Sequence, residues 1–245
     1  MSTSEISLGP RPGLSNVVDI IVAPSAAFAR IRVIPTWGWA FLAASIIGII
    51  GILLAQPASL HALQVSGPAM YGSNPAVTQL PPDKQPEMIA RMVGFGTVML
   101  RFQFLFVPIG LLIGSLLSAV IMLIGNAISR GDGTFKRFFA LSMTTAIVTS
   151  LGFLLNGVIA IVRGPGGYDT MQSVQTALPS LALLVPGAGA KLGTFLGGLN
   201  VTSIWATVLS ALGMIAVARI NPPIAWATAL LLLLCGAGFT AAFVQ

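Results

Sequence analysis

Five long apolar stretches divide the chain, at about 37–55, 102–128, 138–162, 201–218 and 224–243, and none holds a charged residue. A helix needs about 20 predominantly apolar residues to cross the hydrocarbon core of a bilayer. Each stretch therefore predicts a membrane-spanning helix. The second is longer than a bilayer requires, reaching about 40 Å at about 1.5 Å per residue. Tilt, or an extension past the interface, is expected there. Pro86 suits a first helical position, which would place Arg91 and Arg101 on the watery side of that helix, and Pro108 is the expected kink.

Three segments lie outside these stretches. Residues 15–34 mix apolar positions (Val17, Val18, Ile20, Ile21, Phe28, Ile31) with Arg30 and Arg32, and Pro24 divides them. This predicts short amphipathic helices lying on the membrane surface ahead of the first span. Residues 56–85 carry Pro, Gly, Ser and Asn and read as an irregular exterior loop. Residues 163–200 read as a second exterior loop, whose apolar run 177–185 is too short to span.

The expected fold is all-α: a polytopic membrane protein, a bundle of five transmembrane helices with an N-terminal amphipathic interfacial segment. Residues 1–36 form the pre-membrane segment and 37–245 the membrane domain. Composition narrows the class further. Of 245 residues, 56% are hydrophobic and 7% charged, against about 25% charged in soluble domains. Mean hydropathy is +0.94. These values exclude an ordinary soluble enzyme, a disordered regulator and a secreted disulfide scaffold. Twelve Lys and Arg against six Asp and Glu leave a net charge of +6. The cations are scattered singly between apolar runs, so they predict contact with anionic lipid headgroups and no nucleic-acid patch. The first residues are polar and turn-forming, without the apolar core of a signal peptide. Cys235 and His61 are each the single residue of their type, a poor basis for a metal site, and no cofactor is expected.

Charge also sets an expected orientation. With the N-terminus inside, Arg11, Arg30, Arg32, Arg130, Lys136, Arg137 and Arg219 are cytoplasmic. Lys84, Arg91, Arg101, Arg163 and Lys191 are outside. The inside segments are shorter, so their charge density is higher, and the C-terminus is expected outside.

The turn after the second span reads Ser129-Arg130-Gly131-Asp132-Gly133-Thr134-Phe135-Lys136-Arg137-Phe138-Phe139. Its glycines suggest a tight turn using positive φ. Thr134 suits a cap for the third span, and the phenylalanines suit interfacial anchors. A short loop obeying the positive-inside rule is the plain reading. The sharper one makes Arg130, Asp132, Thr134, Lys136 and Arg137, with Arg30 and Arg32, a contact surface for a cytosolic protein or an anionic lipid. Gly110, Gly114 and Ser118 recur at four-residue spacing, the small-xxx-small pattern of close helix packing. Packing within the bundle is the favoured reading, and homo-oligomerisation the alternative.

Gln103, Asn126, Asn156, Asn200 and Thr202 are uncharged polar residues within or beside the spans. Interhelical hydrogen bonding is the favoured reading; a hydrated exterior vestibule for a small solute is the other. Ion-coupled transport normally uses an intramembrane carboxylate or histidine, and all six acids lie outside the spans. No nucleophile–base constellation or phosphate-binding motif is legible, so no enzyme is expected.

Two motifs carry a family resemblance. Gly131-Asp132-Gly133-Thr134-Phe135-Lys136-Arg137 before a long apolar helix resembles the loop of the Yip-one domain family (Ypt-interacting membrane proteins). So does Leu199-Asn200-Val201-Thr202-Ser203-Ile204-Trp205, with Leu209 and Gly213 after it. Ala23-Pro24, Phe28, Ile31, Pro35 and Trp37 resemble that family's lead-in to its first span. The resemblance covers about residues 20–243. It implies five spans, a cytosolic N-terminus and a role through protein partners and lipid contact, with Trp205 and Gly213 as further packing positions. Eukaryotic relatives bind Rab-type GTPases in traffic between endoplasmic reticulum and Golgi. This chain has a short pre-membrane segment and lacks the Asp-Leu-Tyr-Gly-Pro type signature of that branch, so the GTPase-binding role does not carry over; its Ala/Gly-rich compactness suits a bacterial inner-membrane member, and a eukaryotic one would sit in endomembranes.

Overall fold

The computed structural model describes residues 12–242 apart from Pro186. In chain order its helices are α1 (Pro12–Val22), α2 (Pro24–Val33), α3 (Gly38–Gly72), α4 (Pro75–Thr78), α5 (Gln85–Phe102), α6 (Val107–Ser129), α7 (Phe135–Arg163), α8 (Met171–Gln175), α9 (Ala190–Gly198), α10 (Val201–Ala218) and α11 (Pro222–Ala242). The chain is all-helical. Five stretches are long and apolar enough to cross a membrane: α3, α5 with α6, α7, α10 and α11. Proline sets several boundaries, because it lacks a donor and suits the first helical turn. Pro24 opens α2 one residue after α1 ends, and Pro86 stands at the start of α5.

The second span is interrupted as its proline suggests. A 3₁₀ turn at Gln103–Phe106 separates α5 from α6, just before Pro108. The last carbonyls of α5 lose helical partners there. The Gln56 side chain supplies one, its Nε2 donating to the carbonyls of Leu100 and Arg101, each at 3.1 Å.

The segment expected to be an irregular exterior loop is mostly helix. Helix α3 continues to Gly72 through Pro57 and Pro68. Each proline removes one backbone bond, but side-chain burial outweighs that loss: Ala55, Ala58 and Ala62 bury one face against Ala160, Tyr168 and Val174. The second exterior segment is also ordered. It holds the 3₁₀ turns Pro165–Gly167 and Leu181–Leu184 beside α8 and α9, and an isolated bridge joins Ser180 to Asn200.

The helices pass through two compact units. One comprises Met1–Ile46, Pro108–Ser150 and Thr202–Gly236; the other comprises Ile47–Val107, Leu151–Val201 and Ala237–Gln245. In the first unit, Ser115, Ala119, Met122 and Gly125 form the buried stripe of α6. Gly125 meets Thr228 of α11, and Gly213 of α10 lies against the Leu141 side chain of α7, where a Cβ would collide. In the second unit α3 and α7 meet backbone to backbone. A Cβ on Gly51 would fall on the main chain of Phe153 and Leu154, and one on Gly157 on the carbonyl of Gly51.

Gly110 and Gly114 are not the packing stripe expected of them. Both are exposed, and a Cβ on either would meet nothing within 4 Å. The face of α6 that packs is turned away from them, onto Ser115 and Ala119. Ser118 is half-buried, and Trp205 is exposed.

Candidate functional site

The turn between α6 and α7 is built by backbone geometry first. Arg130 has a φ of 54°. Its N–H donates to the Ala127 carbonyl at 3.3 Å, and the Gly131 N–H reaches back to the Asn126 carbonyl at 3.0 Å. This pair of bonds is the Schellman termination of α6, whose left-handed residue is usually glycine. Helix α10 ends comparably: Arg219 also has a φ of 54° and donates to the Ile215 carbonyl at 3.0 Å. Both helices therefore end on a left-handed arginine.

The glycines serve space, not positive φ as expected from the sequence. A Cβ on Gly131 would collide with the Asn126 amide oxygen and the Ala218 carbonyl; one on Gly133 would strike the Phe138 ring. Three bonds then hold the turn. Asp132 N–H donates to the Ala218 carbonyl at 3.0 Å, joining it to the end of α10. Gly133 N–H donates to Asn126 Oδ1 at 3.0 Å, so Asn126 braces the turn from within α6. Asn221 N–H donates to Ser129 Oγ at 2.6 Å. Thr134 caps α7, its hydroxyl accepting from Arg137 N–H at 3.4 Å.

On this frame the Asp132 carboxylate gathers three arginines. Arg32 of α2 reaches Oδ2 at 3.3 Å and Arg219 reaches it at 3.7 Å. Arg137 lies 4.0 Å from Oδ1 and also donates to the Asp132 carbonyl at 3.0 Å. The carboxylate is 44% exposed, and pairs this wet contribute about 0–1 kcal/mol each. The cluster therefore positions charge more than it stabilises the fold. Arg219, which its sequence position marks only as one inside charge among seven, is a full member.

The remaining predicted contact residues divide. Arg130 and Lys136 are exposed, and their side chains have no ionic or hydrogen-bonding partner among the described residues. Arg30 is buried; it donates to Asn16 Oδ1 at 2.8 Å and pairs with Asp19, locking α2 to α1. Its charge is consumed inside the fold. Of the phenylalanines expected as anchors, Phe138 and Phe139 are buried, Phe139 lying edge-on to Trp37 with ring centroids 5.3 Å apart. Phe135, just before Lys136, is exposed.

The polar residues expected near the exterior do not share one chamber. Asn156 donates to the Val174 carbonyl at 2.9 Å, and Asn200 to the Gly197 carbonyl at 3.4 Å. Thr202 is also engaged. Gln103 lines an open cavity of about 330 Å³ whose other walls include Leu63, Met70, Met99 and Phe106. That lining is chiefly apolar.

Five apolar helices of spanning length make this an integral membrane protein. The Yip1 domain model matches residues 18–243, and the chain belongs to that family, whose members are generally non-enzymatic membrane proteins. It is similar to membrane protein YknW of Bacillus subtilis (strain 168), at 27% identity over 222 residues, covering 89% of this chain and 84% of that one. No solved structure matches the chain.

Proposed function

We propose that this Yip1-domain protein is a non-enzymatic organiser of the bacterial inner membrane, working through protein partners and lipid contact at the turn 129–139. The N-terminus and the turn face the cytosol, and the C-terminus lies outside. The observation that carries this reading is the charge arrangement at the turn. Asp132 draws Arg32, Arg137 and Arg219 from three separate stretches of chain, while Arg130 and Lys136 stay exposed beside it. A fold that spends so few charges and collects them on one turn presents that turn for recognition.

The orientation draws support from where the cations fall. Arg30, Arg32, Arg130, Lys136, Arg137 and Arg219 belong to one compact unit, and Lys84, Arg91, Arg101, Arg163 and Lys191 to the other. The first group faces only Asp19 and Asp132 among the described acids of its unit; the second shares its unit with Asp83, Glu87 and Asp169. The positive-inside rule assigns the short, densely charged segments that carry the first group to the cytosol. A solute path gains nothing from the apolar cavity at Gln103.

Crosslinking in native membranes tests the reading. Amine-reactive crosslinking at Lys136, read by mass spectrometry, should capture a protein partner. The charge reversal Arg130→Glu with Arg137→Glu, which keeps the Lys136 amine, should abolish that capture. Absence of any captured protein in the wild type would remove the partner role.

A further inference from the structure

The turn carries more positive charge than its own carboxylate can answer. Asp132 is engaged by Arg32, Arg137 and Arg219, which leaves Arg130 and Lys136 without an anion among the described residues. They stand at the two ends of the short connection 130–134, one closing α6 and the other in the first turn of α7. Each is bordered by an exposed apolar side chain: Ile128 two residues before Arg130, and Phe135 directly before Lys136. Cations beside outward apolar groups at the ends of spanning helices match the boundary between headgroups and acyl chains.

Two features argue that these cations are kept for a ligand rather than for the fold. Lys136 lies in the first turn of α7, where the helix dipole is already positive and a cation is unfavourable. Arg130 occupies a left-handed position that glycine would fill without strain. A cation near the C-terminus of α6 would interact equally well with the dipole from the preceding turn, at no backbone cost.

We propose that Arg130 and Lys136 bind the phosphate of an anionic phospholipid headgroup in the cytosolic leaflet, with Ile128 and Phe135 beside its acyl chains. The proposal rests on the orientation argued above and names a lipid as one partner of that surface. Charge complementarity selects the occupant: two unanswered cations at the membrane boundary meet a leaflet whose anionic lipids carry the opposite sign.

Native mass spectrometry of the purified full-length protein tests it, with phosphatidylglycerol and phosphatidylcholine of identical chains. The wild type should retain phosphatidylglycerol selectively. Arg130→Gly with Lys136→Gln should weaken that retention by about thirtyfold, from about fivefold per cation, and leave phosphatidylcholine unchanged. The glycine removes backbone strain, so the thermal midpoint of the lipid-free variant should stay level or rise, separating lost binding from lost folding. A matched pair at exposed cations of the other unit, Lys84→Gln with Arg101→Gln, should keep the selectivity. Equal retention of both lipids by the wild type, or undiminished selectivity in the first variant, overturns the proposal. If that variant keeps its lipid selectivity while the wild type still captures a protein at Lys136, the lipid assignment is wrong and the partner reading stands.

Discussion

At the scale of single residues, the turn is governed by where a side chain can and cannot be. Gly131 and Gly133 are surrounded by the Asn126 amide, the Ala218 carbonyl and the Phe138 ring. Gly131→Ala or Gly133→Ala should therefore destabilise the protein by about 1–3 kcal/mol, the range for overpacking a filled site, measured as thermal unfolding in detergent micelles. Alanine at Gly110 or Gly114 has open space and should leave stability unchanged or slightly raised, since alanine favours helix over glycine by about 1 kcal/mol. Asp132→Asn removes one charge but keeps the backbone bond to Ala218. It should cost little stability while releasing Arg32 and Arg219, seen as faster chemical modification of those guanidinium groups. The sequence reading found Asp132, Thr134 and Arg137 in this cluster because they are contiguous in one polar stretch. Arg219 is counted there only as one expected inside charge, since nothing local says that the α10 terminus packs on a turn 87 residues earlier. That Gly131 and Gly133 are chosen for space, and Arg130 for the left-handed position, depends on which helix ends converge, and a local sequence reading does not contain that.

At the scale of elements, length and hydrophobicity predicted the spans well and misjudged their ends. Helix α10 covers the stretch expected of it, and the interruption before Pro108 falls where the proline signalled. Helix α3 overruns its expected end by more than four turns, because Pro57 and Pro68 are read as breakers while Ala55, Ala58 and Ala62, on both sides of Pro57, recur with helical spacing. Weighing that stripe above the prolines would have recovered the helix. Contacts between elements are the least legible level. Gly51 and Gly157 look like ordinary membrane-helix glycines, yet they let α3 and α7 touch backbone to backbone. Alanine at either should cost about 3 kcal/mol in thermal unfolding, because a helix backbone cannot yield as a side-chain tip can. The α1–α2 pair makes a separate prediction. Arg30→Ala leaves Asp19 without its partner, a loss of about 1–3 kcal/mol for a part-buried charged pair. Hydrogen exchange should quicken in α1 and α2 while α7 and α10 keep their protection, since local opening is set by local contacts.

At the scale of the whole molecule, the proposed contact surface of this Yip1-domain membrane protein is one turn, the segment around Asp132, with the cytosol as its expected side. Cys235 is the single cysteine and is exposed, so Cys235→Ala gives a clean background for placing one thiol at a chosen site. The most direct measurement is the reactivity of Asn221→Cys, exposed beside the turn and joined to it by its backbone bond to Ser129, in that background toward a membrane-impermeant maleimide. The account predicts no labelling from outside intact cells and labelling in inside-out vesicles, several-fold slower there than in the purified protein because a bound partner covers the site. Labelling from outside intact cells, or equal rates in vesicles and in purified protein, would contradict it.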